Sequence, residues 1–169
     1  MGIHPQNIGT AMPHGFAGSY ARQPDMIVNT RPAGAEIPFG SALKYSDSGA
    51  VLPMGEGDEA AAFVGVAARE LKSALNYLDQ NTGAFAANEA ASVFQRGAVN
   101  VLCQKGTPRL GGAVYIRVAA NADYPGAAVG GFEAEADDGN TVQLTGCQWA
   151  GPVDANKVAE LRILTMQSA

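Results

Sequence analysis

The chain has 169 residues and a mass of 17.3 kDa, the size of a single domain, and it contains 21 glycines and nine prolines. Apolar residues make up 47% and charged residues 16% of the chain, which excludes a wholly disordered protein and disfavours a long charged helix or coiled coil. The net charge is −5 and the Arg and Lys residues are scattered singly, which argues against nucleic acid as the main partner.

The first 35 residues differ from the rest of the chain and predict an extended N-terminal arm. They contain both histidines and prolines at positions 5, 13, 24 and 32, and no helical or strand period persists through them. Such a segment buries too little apolar surface to fold alone. Large apolar side chains are spaced along it, namely Ile8, Met12, Phe16, Tyr20, Met26 and Ile27. They favour either docking on a partner or a loop packed on its own domain.

From residue 36 to residue 169 the chain predicts an all-β domain. Short runs rich in Val, Ile, Phe and Tyr alternate there with Gly, Asn, Asp and Pro, which is typical of strands joined by turns. Tight turns are predicted at Arg96-Gly97 and at Asp138-Gly139-Asn140, the latter being the stronger hairpin signal. The predicted strands, one of which lies in the arm, are 26–30, 39–45, 61–68, 92–95, 98–104, 113–119, 141–149 and 159–166.

Two of these strands alternate clearly between an apolar and a polar face. Val99, Val101 and Cys103 share one face, and a second strand has Tyr115 and Arg117 opposite its apolar face. This period of two is the pattern of a half-buried antiparallel strand. The predicted core comprises Phe63, Val66, Val99, Val101, Val114, Ile116, Val118 and Trp149.

One segment departs from the strand pattern. Leu71, Leu75 and Leu78 recur at helical spacing, so a short helix or a long surface loop are both possible there. The sequence does not assign a role to residues 70–88.

The sequence contains no constellation typical of an enzyme. It lacks the HExxH, GxSxG and GxxxxGK[ST] motifs, and both histidines lie in the predicted arm, where a general base is difficult to position. We therefore predict a protein that is not an enzyme and has no cofactor and no metal site. The longest apolar run, 60–68, is far shorter than the roughly 18 residues that a membrane span needs. No membrane partner is predicted, and synthesis in the cytoplasm is expected.

Three further features have ordinary structural interpretations. Cys103 and Cys147 lack a CxxC partner and are predicted to be buried free thiols. The acidic cluster at 133–138 is predicted to be a solvated hairpin, because it lacks the rest of a calcium-binding loop. Trp149 could line a carbohydrate groove, but a position in the core or at an interface is favoured.

Several segments together resemble a known family. They are GFAGSYARQP (15–24), MIVNTR (26–31), IPFG (37–40), FVGVAAR (63–69), ASVFQRGAVNV (91–101), GAVYIRV (112–118), CQW (147–149) and AELRI (159–163). In this order they are similar to the arm, hairpin and closing strands of tailed-bacteriophage capsid cement proteins, also called decoration or head-stabilising proteins. Each motif alone is weak, and their ordered combination over residues 15–166 carries the resemblance.

The resemblance implies a small β-barrel or β-tulip-like domain with an extended N-terminal arm. It implies a structural virion protein on the outer surface of the capsid, commonly a homotrimer, which clamps neighbouring subunits of the major capsid protein. The partners would be that protein and the chain itself, with no catalytic residues and no cofactor. The low charge content agrees with a surface that is partly buried between protomers.

We hypothesise that residues 1–38 supply the capsid or inter-protomer contacts. The proposed anchors and their polar partners are Phe16, Tyr20, Ile27, Phe39, Arg22 and Arg31. Two other functions remain open at this point. One is a carbohydrate-binding β-sandwich module on a virion that uses Trp149 and Tyr115. The other is a structural protein of the tail or of head completion.

Overall fold

The computed structural model describes residues 13–70 and 83–165, and these residues form an all-β fold, as predicted. One turn of 3-10 helix, Ala60–Ala62, interrupts the strands. The strands are β1 (Tyr20–Pro32), β2 (Ile37–Pro38), β3 (Ala42–Tyr45), β4 (Val51–Pro53), β5 (Gly65–Ala67), β6 (Ala84–Phe85), β7 (Ala90–Lys105), β8 (Val114–Arg117), β9 (Phe132–Glu133), β10 (Thr141–Leu144), β11 (Cys147–Trp149) and β12 (Val158–Ile163).

The long strand β7 organises the main sheet, which has ten strands and curls strongly into a half-barrel. β1, β5 and β12 pair with β7 in antiparallel fashion, whereas β9 runs parallel to it. β3 and β4 extend the sheet beyond β5, and β8 and β10 extend it beyond β9. β2 and β6 form a separate two-stranded sheet.

Two apolar clusters use different parts of β7. The larger contains Val99, Val101 and Cys103 and packs around Trp149, while the smaller contains Val93 with side chains from β2 to β6. β7 is therefore buried along most of its length, as expected for a strand covered on both faces. The eight residues assigned to the core from sequence are all buried, none being more than 7% exposed, and they are Phe63, Val66, Val99, Val101, Val114, Ile116, Val118 and Trp149.

The predicted turn at Arg96-Gly97 is wrong, because the predicted strands 92–95 and 98–104 form one continuous strand, β7. Gly97 has a φ of +105°, and a Cβ atom on it would lie 2.2 Å from the carbonyl oxygen of Asp25. The glycine therefore accommodates the close approach of β1. The turn at 138–140 is present, but its flanking strands β9 and β10 both pair with β8 instead of with each other.

β1 brings part of the predicted arm into the sheet. It pairs with β7 from Tyr20 to Pro32, and its register shifts around Arg22 and Ile27. The residues between them form a bulge that contains a cis Gln23-Pro24 peptide bond. The boundary at residue 35 between arm and domain stays a prediction.

Some predicted features lie outside the described residues. They are the helical pattern of Leu71, Leu75 and Leu78, the arm residues Ile8 and Met12, and the last residue of the predicted strand 159–166. Within 13–70 and 83–165, no helix has the length and hydropathy that a membrane crossing requires.

Candidate contact surface

A tight turn presents Phe16 to solvent. The side chain of Phe16 is 66% exposed, and its carbonyl oxygen accepts hydrogen bonds from the backbone N–H and the Oγ of Ser19, at 3.0 and 2.7 Å. Gly18 N–H donates to the carbonyl of Asn100 in β7 at 2.7 Å, and Asn100 N–H donates to the carbonyl of Ser19 at 2.9 Å. Asn100 Nδ2 donates to the carbonyl of His14 at 2.7 Å. Hydrogen bonds to the backbone and side chain of Asn100 therefore fix the turn against β7.

Close backbone packing fixes the same turn on the other side. Gly18 has a φ of +81°, and a Cβ atom on it would lie 2.7 Å from the carbonyl oxygen of Ala67 and 2.8 Å from the nitrogen of Gly40. Arg69 N–H donates to the carbonyl of Gly18 at 2.8 Å. Because no side chain fits between these segments, Phe16 has a defined position despite its exposure.

The guanidinium of Arg69 lies between two aromatic rings. Its Cζ atom is 4.8 Å from the ring centroid of Phe16 and 5.5 Å from that of Phe39. Phe39 in turn meets Phe85 edge to face, with centroids 5.0 Å apart. Cations attract aromatic faces in this geometry. Arg69 therefore supports one part of the Phe16 ring and leaves the rest available to a partner.

Tyr20 completes this group through the neighbouring residue Glu70. The hydroxyl of Tyr20 donates a hydrogen bond to the Glu70 carboxylate, and its ring lies 5.6 Å from that of Phe94. Burial, followed by the hydrogen bond and the charge of Glu70, raises the pKa of Tyr20 above its ordinary value. Phe16, Tyr20 and Phe39 thus converge on Arg69 and Glu70, and we call these five residues the aromatic cluster.

The other three predicted contact residues lie elsewhere along β1. Arg22 Nε donates to both carboxylate oxygens of Glu160, at 2.8 and 2.9 Å. That hydrogen bonding and the charge of Glu160 raise the pKa of Arg22. Ile27 is half-buried where the bulge ends, and Arg31 is exposed and donates to the carbonyl of Thr30. The structure therefore gathers half of the six predicted contacts into one surface.

Arg69, Glu70 and Asn100 also belong to this surface and were not predicted from the sequence. Arg69 ends the FVGVAAR segment, which was interpreted only as a strand, and Asn100 lies opposite the apolar face of Val99, Val101 and Cys103, where a polar residue fits the pattern of a half-buried strand. In the structure Asn100 is only 3% exposed, because a segment covers it and accepts hydrogen bonds from its Nδ2. The covering segment is the Phe16 turn.

The acidic cluster at 133–138 is not a solvated hairpin, so that prediction is wrong for two of its members. Arg117 and Glu133 are fully buried, and Arg117 Nε and Nη2 donate to the Glu133 carboxylate at 2.6 and 3.0 Å. Arg117 Nη2 also donates to Asp137 at 2.8 Å. Hydrogen bonds from Asn121 and then Arg117 hold the pKa of Asp137 well below its usual range. These carboxylates are neutralised internally by cations.

The described residues contain no group of His, Cys, Asp and Glu side chains that could hold a metal ion. Cys103 and Cys147 are buried free thiols, as predicted. Burial raises the pKa of Cys103 to about 11 and that of Cys147 to about 12, so neither is an activated nucleophile. Trp149 is fully buried and offers no ring face to a sugar, which removes the main support for the carbohydrate-binding interpretation.

Comparison with known proteins connects this fold to virus capsids. The sequence profile of the XM1 gp53 minor capsid protein family matches residues 6–163. Among solved structures, a chain from the capsid of Myoviridae phage XM1 superposes with a TM-score of 0.63 and 16% sequence identity, covering 97% of this chain and 99% of that chain. At that identity the superposition establishes a shared fold. No curated protein matches this sequence.

Proposed function

The chain belongs to the XM1 gp53 minor capsid protein family, and from this premise we propose that it cements a phage capsid from the outside. Family membership makes it a structural capsid component and not an enzyme. The proposed role is finer: the protein binds the outer surface of the head as a homotrimer. There it links neighbouring subunits of the major capsid protein and stabilises the expanded shell.

One observation carries the proposed contact, namely the fixed exposure of Phe16. Exposed aromatic side chains that are held rigidly lose little conformational entropy on binding, and such residues dominate the energetics of many interfaces. Phe16 is two-thirds exposed on a turn that is fixed by Asn100 and by glycine packing. A large apolar ring that is displayed in this way is suited to a pocket on a protein partner.

The charge of the chain supports an external position. Each copy has a net charge of −5, and packaged DNA would repel a dense inner layer of such copies. On the outer surface this repulsion is absent. The ion pairs of Arg117 with Glu133 and Asp137 are internal, so this guanidinium is not available to bind DNA.

The proposal is tested by binding purified protein to heads that were assembled without it. Phe16→Ala is expected to weaken binding about tenfold or more, because it removes a central aromatic anchor. The matched control is Leu110→Ala, since Leu110 is 82% exposed on the turn before β8 and belongs to no proposed contact. The control should bind within about twofold of the wild type, a difference of less than 0.5 kcal/mol.

Thermal unfolding of both variants shows whether weaker binding comes from a lost contact or from unfolding. Both side chains are mostly exposed, so neither substitution should lower the unfolding temperature much. Equal binding by Phe16→Ala and the wild type would remove the aromatic cluster from the interface. Failure of the wild-type protein to bind the outside of such heads would overturn the cement role itself.

A further inference from the structure

The bulge of β1 creates a groove that the aromatic cluster does not use. The groove has a volume of about 280 Å³ and lies between the bulge and the end of β12. Its lining includes Arg22, Pro24 and Asp25 on one side and Arg162 and Leu164 on the other, with Gly97 of β7 at its base. We call it the bulge groove.

The groove concentrates positive charge on an acidic protein. Arg22 and Arg162 line it, and Arg96 lies beside it, where its guanidinium contacts Asp25 at 3.2 Å. Among residues 13–70 and 83–165, the carboxylates that pair with these three guanidinium groups are those of Asp25 and Glu160. The sign of the local charge is therefore opposite to that of the whole chain, whose net charge is −5.

The two lining arginines are held in place without being fully paired. Glu160, whose side chain is 5% exposed, binds Arg22 through Nε alone and lies 3.6 Å from Nη2 of Arg162. The side chains of Arg22 and Arg162 remain 67% and 44% exposed. Planar guanidinium groups in this state can still receive a carboxylate in a bidentate manner.

Resting on the cement role proposed above, we propose that the bulge groove docks an acidic segment of the major capsid protein. A carboxylate of that segment would bridge Arg22 and Arg162, and an adjacent aliphatic side chain would cover Leu164, which is 43% exposed. Charge complementarity selects this occupant, because the arginines of the groove outnumber the carboxylates paired with them and remain partly exposed while Glu160 holds them in place. A protein partner fits better than DNA, because one carboxylate beside an aliphatic side chain matches a groove lined by two arginines and Leu164, whereas duplex DNA needs a row of phosphate contacts that a chain of net charge −5 with scattered cations does not offer.

The test uses Arg162→Gln, which preserves the contact of Arg22 Nε with both carboxylate oxygens of Glu160. Binding to heads assembled without the protein should weaken about tenfold and should depend less on salt. Arg162→Lys retains the charge but lacks the planar guanidinium, so its affinity for heads should lie between those of the wild type and Arg162→Gln. The control Arg109→Gln removes an exposed arginine that does not line the groove, and it should bind like the wild type.

The outcomes separate this inference from the proposed function. If Phe16→Ala weakens binding while Arg162→Gln behaves like Arg109→Gln, the groove is not a docking site and the cement role stands. If the wild-type protein does not bind heads, an NMR titration with hexaglutamate decides: shifts centred on residues 162–164 support an acidic ligand, and their absence overturns it. Binding of duplex DNA that Arg162→Gln abolishes would also overturn the inference, because the partner would be nucleic acid.

Discussion

Arg117 shows how this small sheet tolerates charge in its interior. Its guanidinium is fully buried, and Glu133 and Asp137 accept its hydrogen bonds from two sides. Removing one partner of a buried ion pair costs about 3–5 kcal/mol, because an uncompensated charge remains. The cluster therefore fixes β9 against β8, and it makes the fold sensitive to the protonation of its more accessible carboxylate.

Asp137 should dominate the response of the protein to acid. Its pKa is lower in the folded chain than in the unfolded chain, where it is about 4. Its contribution to stability is therefore complete above about pH 4 and is lost as the pH falls toward the lowered folded pKa. We expect Asp137→Asn to be less stable than the wild type at pH 7 and to lose less stability between pH 4 and pH 2. Thermal unfolding across that range measures both differences.

Asp138→Asn is the matched control for this acid response. Asp138 lies in the same acidic turn but is exposed, and no ion pair to it is present in the described part of the chain. It should follow the wild-type profile at every pH. An Asp137→Asn profile parallel to the wild type would show that other carboxylates set the acid limit.

Individual residues differ in how well the sequence predicts them. Val99, Val101, Val114 and Ile116 were assigned to the core from strand alternation, and all are fully buried. Glu133 was not assigned to the core, because a carboxylate is buried only where a cation pairs with it. Its partner Arg117 lies on another strand, and the sequence does not show that the two side chains meet. Local pattern therefore predicts apolar burial well and charged burial poorly.

At the level of elements, Gly97 holds the bulge of β1 against β7. We expect Gly97→Ala to destabilise the protein by about 2–4 kcal/mol, from a strained positive φ and from displacement of the Asp25 carbonyl. Gly111→Ala is the control, because Gly111 also has a positive φ, of +74°, but open space around it. It should cost only about 1–2 kcal/mol. Urea unfolding gives both values, and equal costs would show that the close approach is unimportant.

Gly97 also explains why the strand boundaries could not all be predicted. Arg-Gly between two apolar runs has the local pattern of a turn, and the reason for the glycine lies in Asp25, far away in sequence. The sequence predicts only residues 26–30 of β1 as a strand, since the partner strand of Tyr20–Pro32 begins as far away as residue 90. The all-β class and the turn at 138–140 depend on local signals, and both were predicted correctly.

For the molecule as a whole, absence of reactive motifs and the ordered resemblance were enough to predict a structural virion protein. The match to the family profile supports a structural capsid protein and identifies the minor capsid family. The candidate contact surface was only half predictable. Phe16 and Phe39 were singled out as isolated apolar residues, but Arg69, which joins them, became visible only when the fold placed it between their rings.

The proposed cement role also predicts how the protein assembles. A cement protein gains by multivalency, since a trimer that binds through one subunit engages the next two at high effective concentration, which can raise avidity about 10²–10⁴-fold. We therefore expect the purified protein to sediment at three times the 17.3 kDa chain mass. The copy number on heads should accordingly be a multiple of three and far above the roughly six or twelve copies of a tail or head-completion protein. A monomer in solution that is present in only a few copies per particle would contradict both the trimer and the cement role, and it would favour head completion instead.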